Sequence, residues 1–164
     1  MKTNTTLLTP KLYFSYSQFM VYDLAEQLPG CDWTEKHTAQ GFARRASTVC
    51  FGTRLEYGHS FVTIHIGSFQ ALKDYSRAIC VPFKNISGKV TVEGPDEFDV
   101  DRAFELPPGD YMLTAAQKIL SADELNIDLY FELVTHPGSR SSILVADEML
   151  DTTEPLMESS EIAG

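Results

Sequence analysis

Phe104-Glu105-Leu106-Pro107-Pro108-Gly109-Asp110-Tyr111-Met112-Leu113-Thr114-Ala115-Ala116-Gln117-Lys118-Ile119 is the stretch on which the fold class turns. Phe104 and Leu106 share one side. After the bend Tyr111, Leu113, Ala115 and Ile119 share one side, and Met112, Thr114, Ala116 and Lys118 take the other. A period of two belongs to strands with one buried face. Proline presets a negative φ and glycine takes the left-handed position that closes a bend, so Pro107 to Asp110 reads as a turn. Two alternating arms around a tight turn predict a hairpin.

The same alternation extends outward in both directions. Leu12, Phe14 and Tyr16 alternate, and after Ser17-Gln18 the apolar parity moves to Phe19 and Val21. A parity change inside one strand predicts a bulge, or a bend from one sheet to another. Strands are expected at Thr48–Arg54 and Ser60–Phe69, joined across Glu56-Tyr57-Gly58, then at Tyr75–Ile86 and, after Ser87-Gly88, at Lys89–Glu93. Pro82 cannot donate to a ladder, which predicts an edge or a bulge. Asn126–Val134 alternates Ile127, Leu129, Phe131 and Leu133 with polar neighbours. Between Pro29-Gly30 and Gly41, Asp32 or Thr34 caps a short helix and Gly41 stops it. About eight short strands at this spacing predict an all-β fold, an antiparallel β-sandwich with one short helix, with a barrel as the other closure. Its two faces are expected to meet over Phe14, Ile64, Val81, Leu113 and Phe131.

A chain of 164 residues suits one domain and needs no staples to bury a core. Residues 1–139 are expected to form it, and residues 140–164 to form an acidic, mostly disordered tail. Ile143–Leu150 reads as a short helix or an added strand before the pattern ends. The formal net charge is −10, and residues 141–164 hold six acids and no base. Such a balance argues against direct contact with nucleic acid. No apolar run reaches the ~18 residues of a membrane helix, and the first residues lack the apolar core of a secretory signal. Cys31, Cys50 and Cys80 are odd in number, far apart in sequence and in no metal spacing. Reduced thiols and a cytoplasmic location are therefore expected.

No catalytic site is legible. There is no G-x-S-x-G and no Gly-rich phosphate loop. None of the four histidines stands at a ligand spacing from another, so surface or structural roles are expected, without metal or cofactor. The sharper feature is the carboxylate run Glu93, Asp96, Glu97, Asp99 and Asp101. It has three readings: a solvated loop, a Ca²⁺-binding or ligand-binding loop of a sandwich module, or a row of charges for a basic partner. On an extended backbone, Glu97, Asp99 and Asp101 would project from one side at intervals of ~6.6 Å. Trp33, the only tryptophan, either packs the helix on the sheet or anchors an interface.

Several blocks in order resemble the competence protein J family. They are Ser15-Tyr16-Ser17-Gln18-Phe19-Met20-Val21-Tyr22, Asp32-Trp33-Thr34-Glu35, Gln40-Gly41-Phe42-Ala43, Val81-Pro82-Phe83, and Phe104 through Thr114. The resemblance spans about residues 12–134. It implies a small acidic cytoplasmic protein, not an enzyme, that binds a basic, metal-dependent, non-specific DNA nuclease and keeps it inactive, as a DNA-entry nuclease inhibitor or a nuclease immunity factor. It carries over no set of binding residues. Glu93, Asp96, Glu97, Asp99, Asp101 and Trp33 are therefore expected at the partner surface on charge and chemistry alone.

Overall fold

The computed structural model describes residues 5–71, 73–97, 101–135 and 139–163. Twelve strands and one helix lie among them. The strands are β1 (Thr5–Leu8), β2 (Leu12–Phe14), β3 (Gln18–Asp23), β4 (Phe42–Arg45), β5 (Thr48–Gly52), β6 (Gly58–Ile66), β7 (Arg77–Asn85), β8 (Lys89–Glu93), β9 (Phe104–Glu105), β10 (Gly109–Ser121), β11 (Glu124–Leu133) and β12 (Ser142–Val145). The helix α1 (Glu35–Gln40) sits between β3 and β4.

They make two sheets. The larger runs β1-β6-β11-β10-β7-β12, with β2 also paired to β6, and the smaller runs β4-β5-β3-β8-β9. The strand count exceeds the eight expected because β1, β4 and β12 are short added pieces and because the first expected strand is two, β2 and β3, in different sheets. Pairing is antiparallel, with one correction among the described residues: β6 and β11 run parallel, Ile64 opposite Leu129. The main apolar core draws on both sheets. It includes Phe14, Ile64, Val81, Leu113 and Phe131 together with Phe19, Phe42, Phe51 and Val92, all essentially sealed from water. Burying such side chains stabilises by about 1.5–3 kcal/mol each before chain entropy is charged.

The central hairpin is corrected. β9 pairs with β8 in the small sheet, whereas β10 pairs with β7 and β11 in the large one. Pro107 and Pro108 have no N–H to zip two arms together. The flanking groups bond elsewhere: Leu106 N–H to the Gly88 carbonyl at 3.0 Å, Asn85 Nδ2 to the Leu106 carbonyl at 2.6 Å, and Tyr111 Oη to the Pro107 carbonyl at 2.6 Å. The turn is a corner between sheets. Links β2–β3, β5–β6 and β7–β8 are corners too, and the first accounts for the parity change at Ser17-Gln18. The long hairpin is β10–β11, turning at Ser121 to Glu124. Pro82 lies where β7 has β10 on one side and no β12 partner on the other, as an edge proline should.

Residues 139–163 correct the expectation of a disordered tail. β12 pairs with β7, and Leu150 enters the main core. Met157 N–H donates to Gln40 Oε1 at 2.8 Å, Gln40 Nε2 returns a bond to the Met157 carbonyl at 3.0 Å, and Asp32 N–H reaches the Glu161 carbonyl at 2.8 Å. Three of the tail's six acids are spent on arginines of β4, β7 and the β5–β6 link. Asp147 holds Arg77 through two oxygens at 2.7 and 3.0 Å with both side chains buried, Glu148 pairs with Arg54, and Glu158 lies 3.7 Å from Arg44. Composition counted these carboxylates as solvated; pairing removes the reason for the segment to stay loose.

Candidate partner-binding surface

β8 delivers the acidic segment to the sheet end. Glycine is required at the exit, because a Cβ on Gly94 would overlap the Tyr13 carbonyl. Glu93 accepts from Tyr22 Oη at 2.8 Å; burial, and then this carboxylate, push the phenol's pKa up. Glu97 turns inward. It accepts from the Gly94 N–H at 3.2 Å and pairs with the fully buried Arg102, which also donates to the Pro10 and Lys11 carbonyls. Asp96 is exposed and accepts from Ser15 Oγ at 2.7 Å. Asp101 is exposed and accepts from the Ala103 N–H at 3.3 Å. Asp99 lies outside the described residues. The structure thus leaves Asp96 and Asp101 facing solvent, while Glu93 and Glu97 hold the loop.

Those holding roles also bear on the cation reading. Among the described residues, no three His, Cys, Asp or Glu side chains are arranged to hold a metal ion. The described histidines have neighbours of their own: His37 closes a capping box with Thr34, His59 Nε2 lies 2.6 Å from Glu124, and His65 Nε2 lies 2.9 Å from Asp128. His136 lies outside the described residues. Cys31 and Cys50, distant in sequence, come together beside Ala43. Hydrogen bonding to Cys50, opposed by burial and helped by Arg45, lowers the Cys31 thiol to about 7. Among the described residues no helix is long and apolar enough to cross a membrane.

Trp33 is half-buried on the loop before α1. Its ring packs on the Cys31–Cys50 cluster beside Met20, and its indole N–H donates to Gln18 Oε1 at 3.1 Å. Thr34 caps α1 and Gly41 ends it in the left-handed conformation, φ 86°. Trp33 and Glu35 therefore stand on a braced support. They line a cleft of about 510 Å³ with Tyr16, Gln18, Met149 and Arg77.

Tyr16 is the residue that charge-based reading missed. Ser15 bridges Gln18, and the two residues between them, Tyr16 and Ser17, both have positive φ, 53° and 55°. That is the demand of a type I′ turn, ordinarily met by Asn-Gly. Bonds on both sides hold it: Ser17 N–H to the Glu56 carbonyl and Thr53 N–H to the Ser17 carbonyl, each 2.8 Å. The Tyr16 side chain is 72% exposed. The parity change was the signal of the bend, but alternation cannot report the sign of φ.

The chain and its fold have known counterparts. A DNA-entry nuclease inhibitor from Bacillus subtilis (strain 168) is 26% identical over 120 residues, 73% of this chain and 89% of that protein. The crystal structure of ComJ from Bacillus subtilis, described as inhibitor of the DNA degrading activity of NucA, superposes with a TM-score of 0.66 at 24% identity. It covers 79% of this chain and 99% of that one. The product of crocagin biosynthetic gene J shares the fold at a TM-score of 0.54 and 14% identity, over 79% and 98% of the two chains. The model of the family Competence protein J (ComJ) matches residues 11–134, from the lead into β2 through the end of β11, and the chain belongs to that family.

Proposed function

We infer that this protein is an inhibitor that binds a DNA-degrading nuclease and holds it inactive by occupying its DNA groove, without turnover of its own. The observation that carries the reading is membership of a family that contains the Bacillus subtilis inhibitor of NucA. A non-specific, metal-dependent nuclease with a basic groove is the partner that the charge fits. A net charge of −10 attracts a surface built for phosphates and steers the encounter. Of the acidic segment, Asp96 and Asp101 are the solvent-facing contacts, with Asp99 from the same stretch. Glu93 and Glu97 act one step back by fixing the loop, and Trp33 supplies an apolar anchor. The protein would act in the cytoplasm, where the nuclease must be kept from resident DNA.

The test is degradation of plasmid DNA by the NucA-like nuclease of the source cell, with the protein added. Stoichiometric protection is expected. Reversing Asp96 and Asp101 to lysine should leave the melting temperature unchanged and lower the association rate by about tenfold or more. Protection undiminished by the double reversal would remove the acidic segment from the interface. Absence of protection by the unaltered protein would refute the inhibitor reading.

A further inference from the structure

We propose that the cleft between Tyr16 and Trp33 is a receptor for a single arginine side chain of the nuclease. The proposal rests on the inhibitor reading and adds to it a site beside the acidic segment, which meets the Tyr16 turn through the Ser15–Asp96 bond. Its walls are two aromatic rings, one on the Tyr16-Ser17 turn and one on the loop before α1, with the 59% exposed Met149 beside them. Two charged residues line the cleft. Arg77 is already neutralised by the bidentate Asp147. Glu35, exposed on the first turn of α1, makes no ion pair among the described residues. The unspent charge in an aromatic cleft is therefore one carboxylate.

A cation is its complement, and a guanidinium fits better than an ammonium. Its flat face stacks on aromatic rings, while its edge offers two parallel N–H donors to a carboxylate. Preorganisation adds to the argument. The Trp33 N–H bond to Gln18 fixes one wall. The other is held by four backbone and side-chain bonds around a turn of two non-glycine residues in the left-handed region. Such strain persists where the surroundings over-determine it, and function is its usual setting. The cleft of about 520 Å³ offers no unspent carboxylate for this task, since Asp110 there stands opposite Lys84 and Arg44 is paired with Glu158.

Two variants and one label test the proposal in the full-length protein against the NucA-like nuclease of the source cell. Tyr16→Asn keeps a residue that tolerates positive φ, so the turn stays folded while the aromatic wall is lost. Glu35→Gln keeps the shape and removes the charge. Each should weaken inhibition by about tenfold or more without lowering the melting temperature. Because Trp33 is the only tryptophan, 5-fluorotryptophan gives one ¹⁹F resonance, and it should shift when the nuclease binds. If the unaltered protein inhibits, yet both variants inhibit equally well or the resonance stays in place, the cleft is not the site and the inhibitor reading stands. If the unaltered protein fails to inhibit, that reading falls and this proposal with it.

Discussion

Asp128 shows what one buried carboxylate requires of its neighbours. It alternates away from the core on β11, yet it is buried under the segment that follows β6. Four side chains satisfy it: His65 at 2.9 Å, Lys73 at 3.0 Å, Tyr75 at 2.9 Å and Asn126 at 3.0 Å. The His65 ring stacks on Tyr130 with centroids 4.2 Å apart, which holds the imidazole in register. Burial alone would raise the Asp128 carboxyl; the bonds from His65, Lys73 and Tyr75, with the Lys73 charge, overcome it and hold the group below the ordinary carboxylate value. A folded-state pKa below the unfolded one stabilises the protein above the unfolded value, about 3.9, and that stability drains away as pH falls through the folded value. Acid unfolding of Asp128→Asn should therefore be less steep below about pH 4 than that of the unaltered protein, although the variant starts about 1–3 kcal/mol less stable at pH 7. An identical pH dependence would show that the carboxylate's partners contribute nothing. Tyr16→Asn, by contrast, should hold or raise stability, by up to about 1 kcal/mol, since left-handed backbone is costly for tyrosine.

At the scale of elements, the last segment behaves as a strap. β12 covers part of the β7 edge, Leu150 fills the core, and Asp147 neutralises an arginine whose side chain is 5% exposed. Removing one partner of a buried pair leaves the other charge without compensation, at a cost of about 3–5 kcal/mol. Asp147→Ala should lose that much in denaturant melts, and truncation after Arg140 should lose more, because Leu150 goes with it. Equal stability of the truncated chain would show that the segment only rests on the surface. Gly41→Ala is a smaller element-level case. It puts a Cβ within 2.9 Å of the Leu150 and Ile79 side chains at a left-handed position, so it should destabilise both the helix end and the strap.

For the whole molecule, the distribution of charge decides more than its sum. Asp147, Glu148 and Glu158 are turned onto arginines, and Glu97 onto Arg102, so the field toward a partner comes from the carboxylates left over. Association with a basic nuclease should slow as ionic strength rises toward physiological, where the Debye length is about 8 Å, while dissociation changes little. Stopped-flow rates across a salt series check this. A flat association rate would mean that short-range contacts at the Tyr16–Trp33 cleft act without steering.

Alternation along Leu12 to Phe14, Val62 to Ile66, Tyr111 to Ile119 and Ile127 to Phe131 determined from sequence alone which side chains enter the core, because the pleat leaves no other way to bury them. Thr34 and Gly41 likewise marked the helix ends through local bonding. The parity change at Ser17 disclosed the first crossing between sheets. Alternation names a buried face without naming the neighbouring strand, so it could not separate a hairpin from a corner at Pro107-Pro108 or find the parallel pairing of β6 with β11. Nor could it place the strap or turn Glu97 inward. Those outcomes depend on Arg77 and Arg44 lying within reach of a distant segment and on Arg102 being fixed by the Pro10 and Lys11 carbonyls, and such reach is a property of the folded chain, where a charge meets its partner and stops belonging to the solvent.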